Sequence, residues 1–179
     1  MTSSTRNLTL TALFAALISV SAFLRIPAGP VPLTMQSAAV LITGFSLGPG
    51  RGFSATMLYT VLGLAGLPIF SSGGGPGYVL SPTFGYIIGF NLAAPCMGYL
   101  ARLQKKPHMI GAYLLMCAGL VCIYLPGLLW LTVSLHWIAD VPVNTTSILR
   151  MGLLIPLPGD LLTAIPAAVI AMKLRKIIG

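Results

Sequence analysis

The stretch MIGAYLLMCAGLVCIYLPGLLWLTVSLHW, residues 109–137, contains no Asp, Glu, Lys or Arg. A helix needs about 20 apolar residues to cross the hydrocarbon core of a bilayer, and this run exceeds that length. Across the whole chain 56% of residues are hydrophobic and 7% are charged, whereas about a quarter are charged in a soluble domain. The composition predicts an integral membrane protein with no room for a soluble catalytic domain.

Five further apolar segments accompany this run. Together they predict an all-α fold with six transmembrane helices in a single transmembrane domain, residues 1–179. The predicted helices cover residues 8–26, 34–47, 53–67, 82–103, 109–137 and 159–178, and Pro126-Gly127 marks a point where the fifth could break.

The basic residues test this topology. The net charge is +8, and if six helices alternate in direction, eight of the ten Lys and Arg residues fall on one side. Such a bias marks the cytoplasmic side of membrane proteins, so both termini are predicted there, in a bacterial-type cell (inner) membrane. The excess of basic residues is thus explained by topology, and no nucleic-acid partner is expected. The eight are Arg6, Arg51, Arg102, Lys105, Lys106, Lys173, Arg175 and Lys176, while Arg25 and Arg150 lie on the opposite side.

The acidic residues are Asp140 and Asp160, and the chain has no Glu. Asp160 lies in the segment Pro156-Leu-Pro-Gly-Asp160, at the predicted start of the last helix. An ionised carboxylate inside a bilayer costs several kcal/mol unless it is paired or faces water, so its retention predicts a functional site. The same topology places loops 27–33 and 70–77 at this outer face, whereas Asp140 is predicted to be a solvated loop residue.

Other residues near this face allow two interpretations each. Gln36 offers an amide donor and acceptor, either to another helix or to a neutral amide-like ligand. The glycine-dense segment Gly73-Gly-Gly-Pro-Gly77 could be a flexible connector or a wall that approaches a ligand closely. Tyr86 could anchor the helix at the membrane interface or line a pocket.

Small residues recur on the first helix, where Ala12 and Ala16 form a small-xxx-small pair. Such a face permits close helix packing, either within this protein or against a partner membrane subunit. The three cysteines lie in apolar runs without a C-x-x-C pair or a nearby His, so neither a metal nor a cofactor is expected.

Five segments resemble one family, BioY, in the order in which the family carries them. They are Ile26-Pro-Ala-Gly-Pro-Val-Pro-Leu-Thr-Met-Gln36, Ser46-Leu-Gly-Pro49 with Gly52, Leu62-Gly-Leu-Ala-Gly-Leu-Pro-Ile-Phe70, Ser81-Pro-Thr-Phe-Gly-Tyr86-Ile-Ile-Gly-Phe90 and Pro156-Leu-Pro-Gly-Asp160. BioY proteins are biotin-binding S components of energy-coupling-factor (ECF) transporters. The resemblance implies the S-component fold, high-affinity biotin binding near the outer face, and a partner module of a transmembrane T subunit and two ATPases.

The resemblance also implies roles for individual residues. Asp160 would accept the ureido N–H groups of biotin, and Ala12 with Ala16 would be the docking motif for the T subunit. Thr163 stands where the family usually has a lysine, which leaves two explanations open. Either Arg150 or Arg25 supplies a compensating charge, or Asp160 keeps its charge through hydrogen bonds from the ligand itself. Thr163 and Arg150 are also predicted to contact the ligand. Further contacts to biotin are implied for Gln36, Thr34, Tyr86, Gly74 and Gly75.

Two other classes of function stay open from the residues alone. Gly44-Phe-Ser46-Leu-Gly48 matches the G-x-S-x-G pattern of serine hydrolases, but the pattern needs a strand-to-helix turn, a His base and an acid. Close helix packing at the two glycines is the favoured explanation, and no enzymatic activity is expected. A self-sufficient vitamin transporter that uses Asp160 for proton coupling is the other alternative.

Overall fold

The computed structural model describes residues 3–27, 29–104, 108–140 and 143–178. Six main helices and one short helix make up this part of the chain, which confirms the predicted all-α class. The elements are α1 (Ser3–Phe23), β1 (Arg25–Ile26), β2 (Leu33–Thr34), α2 (Gln36–Leu47), α3 (Pro49–Leu64), a 3₁₀ turn (Pro76–Leu80), α4 (Phe84–Leu103), α5 (Met109–Val133), a π turn (Ser134–Ile138), α6 (Thr145–Leu149), a second π turn (Arg150–Leu154) and α7 (Pro156–Ile178).

Four helical stretches are long and apolar enough to cross a membrane. They are Ser4–Phe23, Phe84–Leu103, Met109–Ile138 and Thr145–Ile178. The shorter helix α2 is apolar and almost entirely buried, so it lies at the centre of the bundle rather than on its surface.

The first helix ends earlier than the predicted residue 26. Pro27 disfavours a helical conformation in the residue before it, and Ile26 instead adopts an extended one. Arg25 and Ile26 pair antiparallel with Thr34 and Leu33, forming a two-stranded hairpin between α1 and α2. This hairpin was not predicted, and it also removes Thr34 from the start of the second helix.

The third helix begins at Pro49, not at the predicted residue 53. Proline at the first helical position loses no hydrogen bond and has a suitable φ. Gly48, at φ +81, makes the sharp turn that separates α2 from α3. Pro126, in contrast, lies inside α5 without ending that helix.

The last helical stretch begins well before the predicted residue 159. α6 starts at Thr145 and leads through the second π turn into α7 at Pro156. The wider turn accommodates the missing N–H of Pro156, with Ile155 N–H donating to Arg150 O (3.0 Å). Asp160 therefore lies inside a continuous helical stretch rather than at the start of a helix.

Close contacts between helices depend on glycine. Gly44 of α2 packs directly on the backbone of α4, where an added Cβ would overlap Ala94 O and lie 2.9 Å from Ala94 Cα. A Cβ added to Gly89 of α4 would likewise lie 2.5 Å from Ile123 O and 2.7 Å from Ile123 Cα of α5. The sequence-based prediction that Gly44 serves helix packing is confirmed.

Arginine side chains make several hydrogen bonds at one end of the bundle. Arg6 Nη2 donates to Ile178 O (2.7 Å), Arg51 Nη1 to Asn7 Oδ1 (3.1 Å) and Arg175 Nη1 to Ala101 O (2.6 Å). We call this the termini end, and the opposite end, with the hairpin and residues 70–80, the loop end. Arg6, Arg51, Arg102 and Arg175 share the termini end as predicted, whereas Lys105 and Lys106 lie outside the described residues.

Candidate functional site

A cavity lies at the loop end between α2, α3, α4, α5 and α7. It contains about 510 Å³ of empty space, a volume that includes its open mouth. Aromatic rings and hydroxyl groups dominate its wall. The lining residues are Val31, Pro32, Thr34, Gln36, Ser37, Tyr59, Ser71, Tyr78, Thr83, Tyr86, Ile87, Phe90, Tyr124, Pro156 and Asp160.

Asp160 lines this cavity with a side chain that is only 9% exposed. Its Oδ2 accepts a hydrogen bond from the Tyr124 hydroxyl of α5 (2.7 Å), and Ser37 of α2 lines the same cavity. A neutral donor therefore orients the carboxylate, and no cation pairs with it among the described residues. A ligand with N–H groups would find acceptor capacity here that the protein leaves unused.

Gln36 lines the same cavity from the start of α2. Its Nε2 donates to the Tyr59 hydroxyl of α3 (2.6 Å), and its Oε1 faces the Thr34 hydroxyl (3.4 Å). Thr34 occupies the second strand of the hairpin, so the hairpin sets the position of this polar pair.

A chain of hydroxyl groups forms a second polar region of the cavity. The Tyr78 hydroxyl lies 3.1 Å from the Ser71 hydroxyl and 2.8 Å from the Thr83 hydroxyl. The Arg25 guanidinium donates to Ser71 O, which brings a positive charge close to this region. Hydroxyl groups that both donate and accept can rearrange to suit a polar or anionic ligand group.

Tyr86 lines the cavity and also connects α4 to the last helical stretch. Its hydroxyl donates to Gly152 O in the second π turn (2.7 Å), and its ring contacts that of Tyr124 edge-to-face, with centroids 5.9 Å apart. Its position agrees with the interpretation of Tyr86 as a pocket wall, and its hydroxyl also holds the segment before α7.

Replacing Tyr86 with Phe should lower stability moderately. The buried Gly152 carbonyl would lose its side-chain donor, at a cost of about 1–2 kcal/mol and a Tm lower by several degrees. Thermal unfolding of the purified protein in detergent measures this. Tyr99→Phe removes the same hydroxyl from an exposed position on α4 and should leave the Tm unchanged. Equal Tm values for the two variants would contradict the role given to Tyr86.

Four predicted site residues do not line the cavity. Gly74 packs against Leu67, and Gly75 N–H donates to Gly63 O (2.7 Å), so these glycines fold the loop onto α3. Thr163 donates to the backbone carbonyl of Asp160 (3.1 Å) and contributes no charge to its carboxylate. Arg150 is exposed in the second π turn. Ligand contacts by these four stay predictions, and none has support from the geometry of the cavity.

Several cavity residues were not predicted from the sequence. Tyr124 sits within the apolar run of α5 and carries no distinguishing motif, and Tyr59 and Tyr78 likewise resemble ordinary membrane-protein tyrosines. Ser37 could have been predicted as a cavity residue, because it follows Gln36 in the same apolar segment. The described residues contain no cluster of three or more His, Cys, Asp or Glu that could hold a metal ion.

The sequence matches the model of the BioY family over residues 1–179. The chain belongs to the BioY family. It is 38% identical over 177 residues to the probable biotin transporter BioY of Lysinibacillus sphaericus, covering 97% of this chain and 89% of the relative. It is 35% identical over 173 residues to the biotin transporter BioY of Thermotoga maritima, covering 96% and 97%.

The fold of this BioY chain agrees with a solved structure. A crystal structure of the S-component for biotin from an ECF-type ABC transporter matches with a TM-score of 0.84 and 28% identity, covering 98% of this chain and 95% of that one. The predicted family and S-component fold are confirmed. The BioY relatives are named as transporters, which agrees with the prediction of a multi-pass membrane protein that is not an enzyme.

Proposed function

We propose that this chain is the biotin-binding subunit of a biotin uptake system and the S component of an ECF transporter. It lies in the cell (inner) membrane with both termini in the cytoplasm. The observation that carries the proposal is the buried Asp160 carboxylate, which Tyr124 orients and which lines the cavity at the loop end. BioY membership supports biotin as the occupant of that cavity.

The chemistry of biotin fits the two polar regions of the cavity. Its cyclic urea has two N–H groups, which Asp160 would accept as charge-assisted hydrogen bonds. Its fused rings would pack between the aromatic side chains. Its carboxylate would lie toward the hydroxyl groups of Tyr78 and Thr83, on the side where Arg25 supplies positive charge.

A thermal-stability screen tests the ligand. Purified protein in detergent is heated with biotin, thiamine or riboflavin at micromolar concentration. A ligand present at about 1,000 times its Kd stabilises the folded state by roughly 4 kcal/mol, so biotin should raise the Tm by many degrees. No shift with biotin, or an equal shift with thiamine or riboflavin, would refute biotin as the specific ligand.

The T subunit is proposed to dock on α1. Ala12 and Ala16 are exposed along that helix, while Phe14, Ala15 and Ile18 on its other face are buried in the bundle. The alternative of packing within the chain is therefore not supported. A partner helix can approach closely over two alanines, because their side chains occupy little space.

Replacing both Ala12 and Ala16 with Leu should abolish assembly with a T subunit and its two ATPases. The larger side chains would hold the partner helix away from α1. We expect recovery of the partners in affinity copurification to fall at least about tenfold, an effect of about 1.4 kcal/mol or more. Biotin binding should be unchanged, since neither alanine lines the cavity.

Ala118→Leu is the matched control for this experiment. It adds the same side chain to an exposed position on α5 and should leave copurification at the wild-type level. Full assembly of the double α1 variant would rule out this docking face.

The alternative of an intramembrane enzyme has no support in the geometry. Ser46 is buried and faces Ala171 O (3.5 Å), and His108 accepts from Gly111 N–H at the start of α5. His136 lies in the π turn after α5, at the other end of that helix. No nucleophile, base and acid therefore meet among these residues.

A further inference from the structure

A second pocket lies at the termini end, far from the cavity that contains Asp160. It is formed by the α2–α3 turn, the last turns of α4 and the last turns of α7, and its empty space is about 450 Å³ including the open mouth. Three arginines from three different helices line it. They are Arg51, Arg102 and Arg175.

Two of these arginines are held in place by backbone carbonyls. Arg51 Nε donates to Leu47 O (3.0 Å) at the end of α2. Arg175 Nη1 donates to Ala101 O (2.6 Å) near the end of α4, and its guanidinium lies 5.6 Å from the centre of the Phe45 ring. These contacts fix the guanidinium groups at the pocket wall rather than leaving them on mobile surface side chains.

Arg102 is exposed and makes no hydrogen bond to any residue that the structure describes. Its guanidinium lies over the α2–α3 turn, where a Cβ added to Gly48 would be 2.9 Å from Arg102 Nη2. No described residue therefore competes with a ligand in the pocket for the donors of Arg102.

The positive charge of this pocket has no acidic side chain to balance it. The chain has two acids, Asp140 and Asp160. Asp140 follows the π turn after α5, and Asp160 lies near the start of α7, both at the loop end. The carbonyl partners of Arg51 and Arg175 are neutral, so all three charges remain. The α3 helix also starts here without a side-chain cap, which adds the positive end of its dipole.

We propose that this pocket binds a phosphate group, either in an anionic lipid headgroup or as a free phosphate. Guanidinium groups bind phosphate oxygens in pairs of parallel hydrogen bonds, and three of them around one pocket match the several oxygens of a phosphate. The pocket lies where membrane-spanning helices end, which is the depth of lipid headgroups. Binding would join α3, α4 and α7 at this end of the bundle.

The test uses the full chain in a neutral detergent and measures the Tm with three additions. They are phosphatidylglycerol against phosphatidylcholine, sodium phosphate against sodium chloride at equal ionic strength, and a poly-glutamate peptide. The variant Arg102→Gln removes a guanidinium that donates no hydrogen bond to any described residue. Lys176→Gln is the matched control, since it removes one charge from an exposed position of α7 outside the pocket.

Phosphatidylglycerol or phosphate should raise the Tm of the wild type and of Lys176→Gln. The apparent affinity should be roughly tenfold weaker in Arg102→Gln, whose Tm without additives should be unchanged. A response to phosphatidylglycerol alone assigns the site to lipid, and a response to both assigns it to phosphate in general. No response to either, equal responses of the two variants, or a response to poly-glutamate alone would overturn the proposal.

Discussion

Asp160→Asn is expected to weaken biotin binding by about 100-fold, a loss of about 3 kcal/mol. Asn has nearly the same shape, and its carbonyl oxygen can still accept from the Tyr124 hydroxyl. Its amide, however, would present N–H donors where the urea of biotin also presents donors. The charge that strengthens those hydrogen bonds in the wild type would be lost as well. Isothermal titration of the purified protein with biotin measures the change.

Asp140→Asn is the matched control for this variant. It makes the same chemical change at the other acid of the chain, which is exposed and has φ +49, a conformation that Asn tolerates. Its Kd for biotin should equal that of the wild type. The Tm of Asp160→Asn without biotin must also be measured, because a folded variant is needed to interpret lost binding. A folded Asp160→Asn that binds biotin as tightly as Asp140→Asn would refute the role of this carboxylate.

Gly44→Ala is expected to destabilise the α2–α4 contact strongly. The new Cβ would overlap Ala94 O, which belongs to helix backbone and cannot rotate away. The two helices would have to separate, at a cost of about 3 kcal/mol or more, with a Tm lower by roughly 10 °C. Thermal unfolding in detergent, together with the monodisperse fraction on size-exclusion chromatography, measures the effect.

Gly50→Ala provides the comparison for this substitution. Gly50 lies in the first turn of α3, and an added Cβ there would meet nothing within 4 Å. Alanine also favours helix more than glycine does, so this variant should be as stable as the wild type or slightly more so. Similar Tm values for Gly44→Ala and Gly50→Ala would contradict the proposed importance of the α2–α4 contact.

Much of the fold could be predicted because its signals are local. Long apolar runs specify α4 and α5 to within a few residues. The distribution of arginines predicts which helix ends lie at the same end of the bundle. The helix boundaries were predicted wrongly near prolines, because proline can end a helix, start one or lie within one. Pro27 ends α1 early, Pro49 starts α3 early, and Pro156 is accommodated by a π turn within a continuous helical stretch.

The candidate site was predicted only in part. Asp160 and Gln36 stand out because polar groups are costly inside a membrane. Tyr124 could not be identified, because its partnership with Asp160 depends on how α5 packs on α7. The roles of Gly74 and Gly75 also depend on tertiary contacts, since their loop folds onto α3 instead of reaching into the cavity.

The hairpin between α1 and α2 has a mechanical consequence. Its paired residues, Arg25 and Thr34, connect the end of α1 to a wall of the cavity, and Met35 N–H also donates to Leu24 O (3.2 Å). A tilt of α1 in the membrane would therefore displace Thr34, two residues before Gln36. Movement of the helix that exposes Ala12 and Ala16 would therefore be transmitted through the hairpin to the wall of the cavity.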